Sequence, residues 1–281
     1  MSPETSADSA CGPAPQRLRT VFCTRGGLFG ALVLARLRAC DRIEICAIVR
    51  SSRNFDPRFG FLRGALAYIR RCGMAYTLYL FCATTIADLL CGFTGLGRVP
   101  LRSRRGITVY TTQNINDAAG LAFLRSSKPD LLVSAFFDQR LHEAALAVPA
   151  QGCLNIHPSL LPAFRGVDPV LQARLHRAAR IGVTVHRMTP LLDAGRILGQ
   201  RVVTVPERAS LFEATAMLFR EGAELLGAAC NALEAPGIDA EGSGSYQSWP
   251  TRAEIDSSRR IGVRLIRLMD LRRMVRARAA E

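Results

Sequence analysis

Two short strand-like runs, Leu18–Cys23 and Ile43–Val49, enclose a glycine turn and an apolar helical stretch, and this pattern limits the fold more than any other feature. Ile43–Val49 is nearly continuous in apolar residues, as a strand buried on both faces must be. Such strands pair in parallel, and parallel neighbours need a long crossover between them. Thr24-Arg25-Gly26-Gly27-Leu28-Phe29-Gly30 and the apolar residues to Arg38 supply it as a turn and a helix. The run is read as a right-handed βαβ unit, so the fold class is α/β, a mostly parallel twisted sheet with helices on both faces. The glycines do not make a dinucleotide site. Their spacing misses G-x-G-x-x-G, and Val49-Arg50 stands where an acid would close the second strand.

Further strands are expected at Ile107–Thr111, Leu131–Val133, Gly182–His186 and Val202–Val205. Helices are expected from about Asn116 to Ser126, Val170 to Arg180 and Ser210 to Leu233. Asn114 or Asn116 would cap the first, and Ser210 with Glu213 makes an S-x-x-E capping box for the last.

Chemistry concentrates in Asn155-Ile156-His157-Pro158-Ser159-Leu160-Leu161-Pro162, continuing to Arg165-Gly166. In extended backbone, residues i and i+2 share a face. Asn155 and His157 therefore point into one pocket while Ile156 enters the core, and the prolines end the strand. A proton shuttle beside a neutral hydrogen-bond donor is the equipment of acyl transfer. Downstream, Met188-Thr189-Pro190-Leu191-Leu192-Asp193-Ala194-Gly195-Arg196 sets an acid in a turn, a candidate partner for the imidazole. Thr184 is either a support for the Asp193 loop or an ordinary strand residue. His142, His176 and His186 belong to no constellation and are read as structural.

Together Asn155, His157, Ser159-Leu160-Leu161-Pro162, Arg165-Gly166, Gly182-Val183-Thr184-Val185-His186 and Asp193-Ala194-Gly195-Arg196-Ile197 resemble the folate-dependent formyltransferase family, which includes the glycinamide ribonucleotide, methionyl-tRNA and sugar-amine N-formyltransferases. The clear resemblance runs from about Asp130 to Gln200. It implies a Rossmann-like formyltransferase fold and transfer of a formyl group from 10-formyltetrahydrofolate to a primary amine through a tetrahedral intermediate. Asn155 would donate to the oxyanion, with His157 sharing that task and moving the proton. Asp193 would orient His157 or relay protons through water. Phe136, Phe137, Asp138, Leu160 and Asp193 would contact the folate. Gly26, Gly27, Arg165 and Gly166 would approach the acceptor, the glycines beside an anionic group. Two alternatives stay open: a 10-formyltetrahydrofolate hydrolase, and a methionyl-tRNA formyltransferase-like enzyme lacking the C-terminal barrel. The hydrolases usually carry an N-terminal regulatory domain, for which the short lead leaves no room.

Residues 54 to 105 depart from the family, which crosses this region with a short connection. Cys72 to Phe93 has about the length of a membrane span, flanked by Arg63, Arg70 and Arg71 on one side and Arg98, Arg102, Arg104 and Arg105 on the other. A single crossing would separate strands that must pair in one sheet. Two readings survive: a helical cap on the substrate side, which is preferred, or an amphipathic hairpin on anionic lipid.

The formal charge of +14, mostly arginine, implies an anionic partner: a folate polyglutamate tail, a phosphorylated substrate, nucleic acid or an acidic membrane surface. The nine cysteines make no CxxC pair, so free thiols and no metal are expected. The expected organisation is a disordered lead (1–17), a catalytic domain (18–240) with its insert, and a linker with a basic helical tail (241–281). A tail of this length is too short for the tRNA-enzyme barrel. The acceptor is therefore expected to be a small amine, sugar- or lipid-linked, with nucleic acid disfavoured. The expected location is cytoplasmic, with peripheral membrane contact as the variant.

Overall fold

The apolar strands pair as the crossover logic requires. In a computed structural model describing residues 17–53, 60–86, 107–231, 233, 244 and 246–270, seven strands form one sheet. They are β1 (Leu18–Thr24), β2 (Ile43–Ser51), β3 (Thr108–Thr112), β4 (Leu131–Ala135), β5 (Cys153–His157), β7 (Gly182–Arg187) and β8 (Ile197–Val202), in the order β3-β2-β1-β4-β5-β7-β8. The first five run parallel, whereas β7 is antiparallel to both β5 and β8. From β1 the chain moves outward to β2 and β3 and then returns to the other side of β1 at β4. This reversal opens a crevice at the carboxyl ends of the central strands, where ligands bind in open α/β sheets.

Alternate residues of β1 serve opposite cores. Phe22 faces helices α1 (Gly27–Arg38) and α7 (Leu211–Ala229), while Val21 and Cys23 join the cluster under α4 (Ala118–Ser127) and α5 (Glu143–Leu146). All three residues are fully buried, which accounts for the unbroken apolar stretch Val21–Cys23. α7 lies unusually close to the sheet at Gly222, where an added Cβ would collide with Ile156 and Val183. Ile156 separates Asn155 from His157, so this approach also supports the site. Gly222→Val should lower stability by about 1–3 kcal/mol through overpacking, read as a drop in urea midpoint at unchanged slope.

Several boundaries differ from expectation, each with a local cause. The cap of α4 is Asp117, whose carboxylate accepts the Gly120 N–H, and not Asn114 or Asn116. α6 (Pro169–Leu175) ends well before Arg180, because Arg177 turns into left-handed backbone. β8 precedes the expected 202–205 strand and borders the sheet. Ser210 caps α7 through the Glu213 N–H, the serine half of the expected capping box. Within the expected linker, Tyr246–Gln247 form a short strand, β9, that pairs with β6 (Arg165–Gly166). α8 (Arg252–Arg260) follows with a complete capping box at Thr251 and Glu254.

The described part of the insert is helical: α2 (Gly60–Cys72), α3 (Met74–Phe81) and a π-helical turn, Cys82–Ile86. Gly73, at φ +83°, makes the break between the helices. Tyr76 and Tyr79 of α3 are buried in the main core. Residues 54–59 and 87–105 of the insert, the lead to residue 16 and the tail beyond residue 270 lie outside the described residues. Among the described residues no helix is long and apolar enough to cross a membrane.

Candidate active site

Asn155 and His157 end β5 on one face, and the antiparallel turn of β7 places His186 directly opposite Asn155. The loop after β7 then brings Asp193 back over them. His157 Nδ1 lies 3.5 Å from Asp193 Oδ1, and His186 Nε2 lies 3.6 Å from the same oxygen. Asn155 Nδ2 is 3.2 Å from His186 Nε2. Asp193 holds a left-handed conformation at φ +50°, and its other oxygen accepts the Gly166 N–H at 2.8 Å.

The partners assign the tautomers. His157 Nε2 lies 3.0 Å from the Phe164 carbonyl, which can only accept, so Nε2 carries the proton. In the neutral ring, Nδ1 then presents a lone pair on the Asp193 side. His186 Nδ1 likewise donates to the Arg187 carbonyl at 2.8 Å, leaving Nε2 to accept from Asn155. That contact turns the amino group of Asn155, rather than its oxygen, toward His186.

Burial pushes the His157 pKa down, against the opposing pull of the Asp193 carboxylate, so the ring is neutral at pH 7. Burial alone would raise Asp193. Its contacts with His157 and His186 and the Gly166 N–H outweigh it and hold the carboxyl well below its usual range. A neutral base therefore faces a fixed anion. A proton arriving at His157 Nδ1 would be paired at once.

The remaining predicted residues fall into two groups. Arg165 reaches across to the Asp193 loop, donating to the Leu192 carbonyl at 2.7 and 3.3 Å. Phe136, at φ +49°, accepts the Arg25 N–H at 2.7 Å through its carbonyl, and Asp138 pairs with the Arg25 guanidinium at 2.5 Å. Thus the 136–138 loop and the Gly26–Gly27 turn are tied together across the crevice, while the Phe137 side chain packs on the core cluster under α4. Gly27, at φ +66°, has the backbone of the insert as its neighbour: a Cβ there would sit 2.8 Å from the Ala83 carbonyl oxygen. The carbonyl end of the π turn thus faces the amino end of α1, a favourable pairing of opposite dipole ends.

Leu160 turns the other way. It packs on Gly182 and lines a cavity of about 420 Å³ behind the loop, which Asn155, His157, His186 and Asp193 do not line. Thr184 braces that loop and not the Asp193 loop: its hydroxyl donates to the Ser159 carbonyl and accepts the Leu161 N–H and Gln200 Nε2. Sequence reasoning missed two members of the crevice, His186 and Arg25. His186 was detectable in principle, because antiparallel pairing of 153–157 with 182–187 sets it against Asn155. Arg25 left no such signal. Among the described residues no group of three or more His, Cys, Asp or Glu could hold a metal ion.

An open α/β sheet with this crevice is the formyltransferase fold. It is shared with a sugar N-formyltransferase from a Shewanella species (TM-score 0.51, 16% identity, 82% of this chain and 76% of that one). It is also shared with the phosphoribosylglycinamide formyltransferase of Anaplasma phagocytophilum (TM-score 0.51, 20% identity, 83% of this chain and all of that one). Residues 98–228, which include Asn155, His157, His186 and Asp193, match the formyl transferase family model. Over much the same length the chain is 41% identical to the methionyl-tRNA formyltransferase of Herpetosiphon aurantiacus, across 138 residues that make up 49% of this chain and 45% of that protein. The counterpart from Roseiflexus castenholzii is 40% identical across 139 residues. The chain thus spans less than half the length of these relatives. Their names weaken the expectation that nucleic acid is disfavoured.

Proposed function

We propose that this chain transfers a formyl group from 10-formyltetrahydrofolate to a primary amine on a small, sugar-linked or lipid-linked acceptor. The observation that carries the reading is the convergence of Asn155, His157 and Asp193 at one end of β5. The folate would supply a formyl carbon open to attack by an amine, with its own nitrogen as leaving group. Leu191 and Leu192, 58% and 39% exposed beside Asp193, offer apolar surface for a flat ring, so the residues present fit such a donor.

In this reading Asn155 directs an N–H at the formyl oxygen as it gains negative charge, held in that orientation by His186. His157 accepts the amine proton at Nδ1 and returns it to the departing nitrogen. Asp193 stabilises the imidazolium in between. Arg165 and the Gly166 N–H fix the loop on which Asp193 is carried. Phe136 to Asp138, tied to Arg25, form the opposite wall, with Gly26 and Gly27 toward the acceptor.

The methionyl-tRNA formyltransferases among the relatives favour a second reading, in which the amine belongs to an aminoacyl-tRNA. One assay addresses both. The protein is incubated with 10-formyltetrahydrofolate and either methionyl-tRNA, amino sugars or amine-bearing lipids, and tetrahydrofolate and the formamide product are quantified. Equal release of both, dependent on one acceptor class, is the expected result and identifies that class. Release of tetrahydrofolate without any amine would replace the proposal with a hydrolase, and no release with any acceptor would overturn it.

A further inference from the structure

The insert turns its apolar residues to solvent. From Met74 to Ile86 there is no charged residue. The inward side is taken by Tyr76, Tyr79 and Ala83, all buried. Outward stand Met74, Leu78 and Phe81, 63%, 56% and 45% exposed, at the i, i+4, i+7 spacing of a single stripe. α2 continues this surface in a different composition. Leu66 is exposed there too, with exposed Arg63 and Arg70 three and four residues to either side. Arg71, also exposed, donates to the Ser248 hydroxyl at 3.0 Å. No acidic residue occurs between Asp56 and Asp88.

We propose that this face of α2 and α3 docks on an anionic lipid bilayer, with Met74, Leu78 and Phe81 entering the acyl boundary and Arg63 and Arg70 among the head groups. An apolar stripe bordered by arginine and free of acid is the composition of a helix lying in the interface plane. Two observations select lipid over a second copy of the chain. A symmetric pairing through this face would set arginine against arginine with no carboxylate in 57–87 to receive either. The formal charge of +14 also draws the whole molecule toward a negative surface. The docking stands apart from the chemistry of the Asn155–Asp193 site and is tested without folate or amine.

The test is flotation of the full chain with vesicles of phosphatidylcholine alone or enriched in phosphatidylserine. Co-flotation is expected with the anionic vesicles only, weakening as ionic strength rises. Serine at 74, 78 and 81 together should reduce the lipid-bound fraction at least about tenfold. Arg63→Gln and Arg70→Gln should each cost about fivefold. All these positions are exposed, so circular dichroism and the melting temperature should remain near the wild-type values. Equal binding to neutral vesicles, or flotation of the triple-serine variant at the wild-type level, would overturn the proposal. So would a dimer that the serine substitutions dissociate in protein that never floats.

Discussion

Replacing His157 with alanine should slow formyl transfer by about a hundredfold to ten-thousandfold and leave the protein folded. The other ring nitrogen on the Asp193 side, His186 Nε2, already accepts from Asn155, so no neighbour takes over the proton transfer of His157. Asp193 keeps the Gly166 N–H when the ring is removed, which limits the structural cost. Asn155→Ala should cost about a hundredfold or more, as loss of one oxyanion donor does. The double variant should be slower than the His157 variant by less than the product of the single losses, because both residues act in one transition state. Steady-state rates with the acceptor class identified by turnover, alongside thermal melts, would check this. Near-normal rates in a folded His157→Ala protein would remove the ring from the mechanism.

Stability should fall as pH rises from about 4 to about 6 by an amount traceable to Asp168. This residue sits in left-handed backbone at φ +46°, two positions beyond Gly166, and accepts the Tyr76 hydroxyl at 2.7 Å. Burial pushes its carboxyl up to about 6, with the Tyr76 and Leu171 hydrogen bonds pulling the other way. The groups facing it from α3 are Tyr76 and Tyr79, both pushed further up by burial and neutral throughout this range. A raised folded pKa means that the folded chain binds the proton more tightly than the unfolded one. The associated stability is complete below the unfolded value near 4 and lost as pH passes the folded value. Tighter proton binding of this size corresponds to roughly 3 kcal/mol. Asp168→Asn keeps an acceptor for Tyr76 and removes the titration. The wild-type-minus-variant difference in urea unfolding free energy should therefore decline between pH 4 and 6 and be flat above. A flat difference across the whole range would show that the carboxylate is not desolvated.

The sheet was largely legible because its signal is local: Phe22 and Val21 must both be buried, and consecutive apolar residues say so. The Asn155–His157 pair was legible for the same reason, since period-two geometry needs only three residues. What escaped depends on pairing across the chain. His186 gained its role from antiparallel register with β5, and Arg25 from a loop more than a hundred residues away. Thr184 stayed open between loop support and strand residue because a hydroxyl on a strand does not declare which side its partners will come from. The short α6 reflects the left-handed turn at Arg177, to which an arginine gives no advance sign. Tyr76 and Asp168 were invisible as a pair, because their contact joins the insert to the body of the fold.

That contact gives α3 two allegiances. Its outer side holds Met74, Leu78 and Phe81, and its inner side holds the tyrosine fastened to Asp168, two residues from the N–H that anchors Asp193. A ligand that prefers one position of this helix from outside and a substrate that prefers one from inside are then bound by thermodynamic linkage. Whatever factor the surface imposes on substrate affinity, substrate must impose on affinity for the surface. One helix, eight residues long, would thereby let each side of the protein register the occupancy of the other.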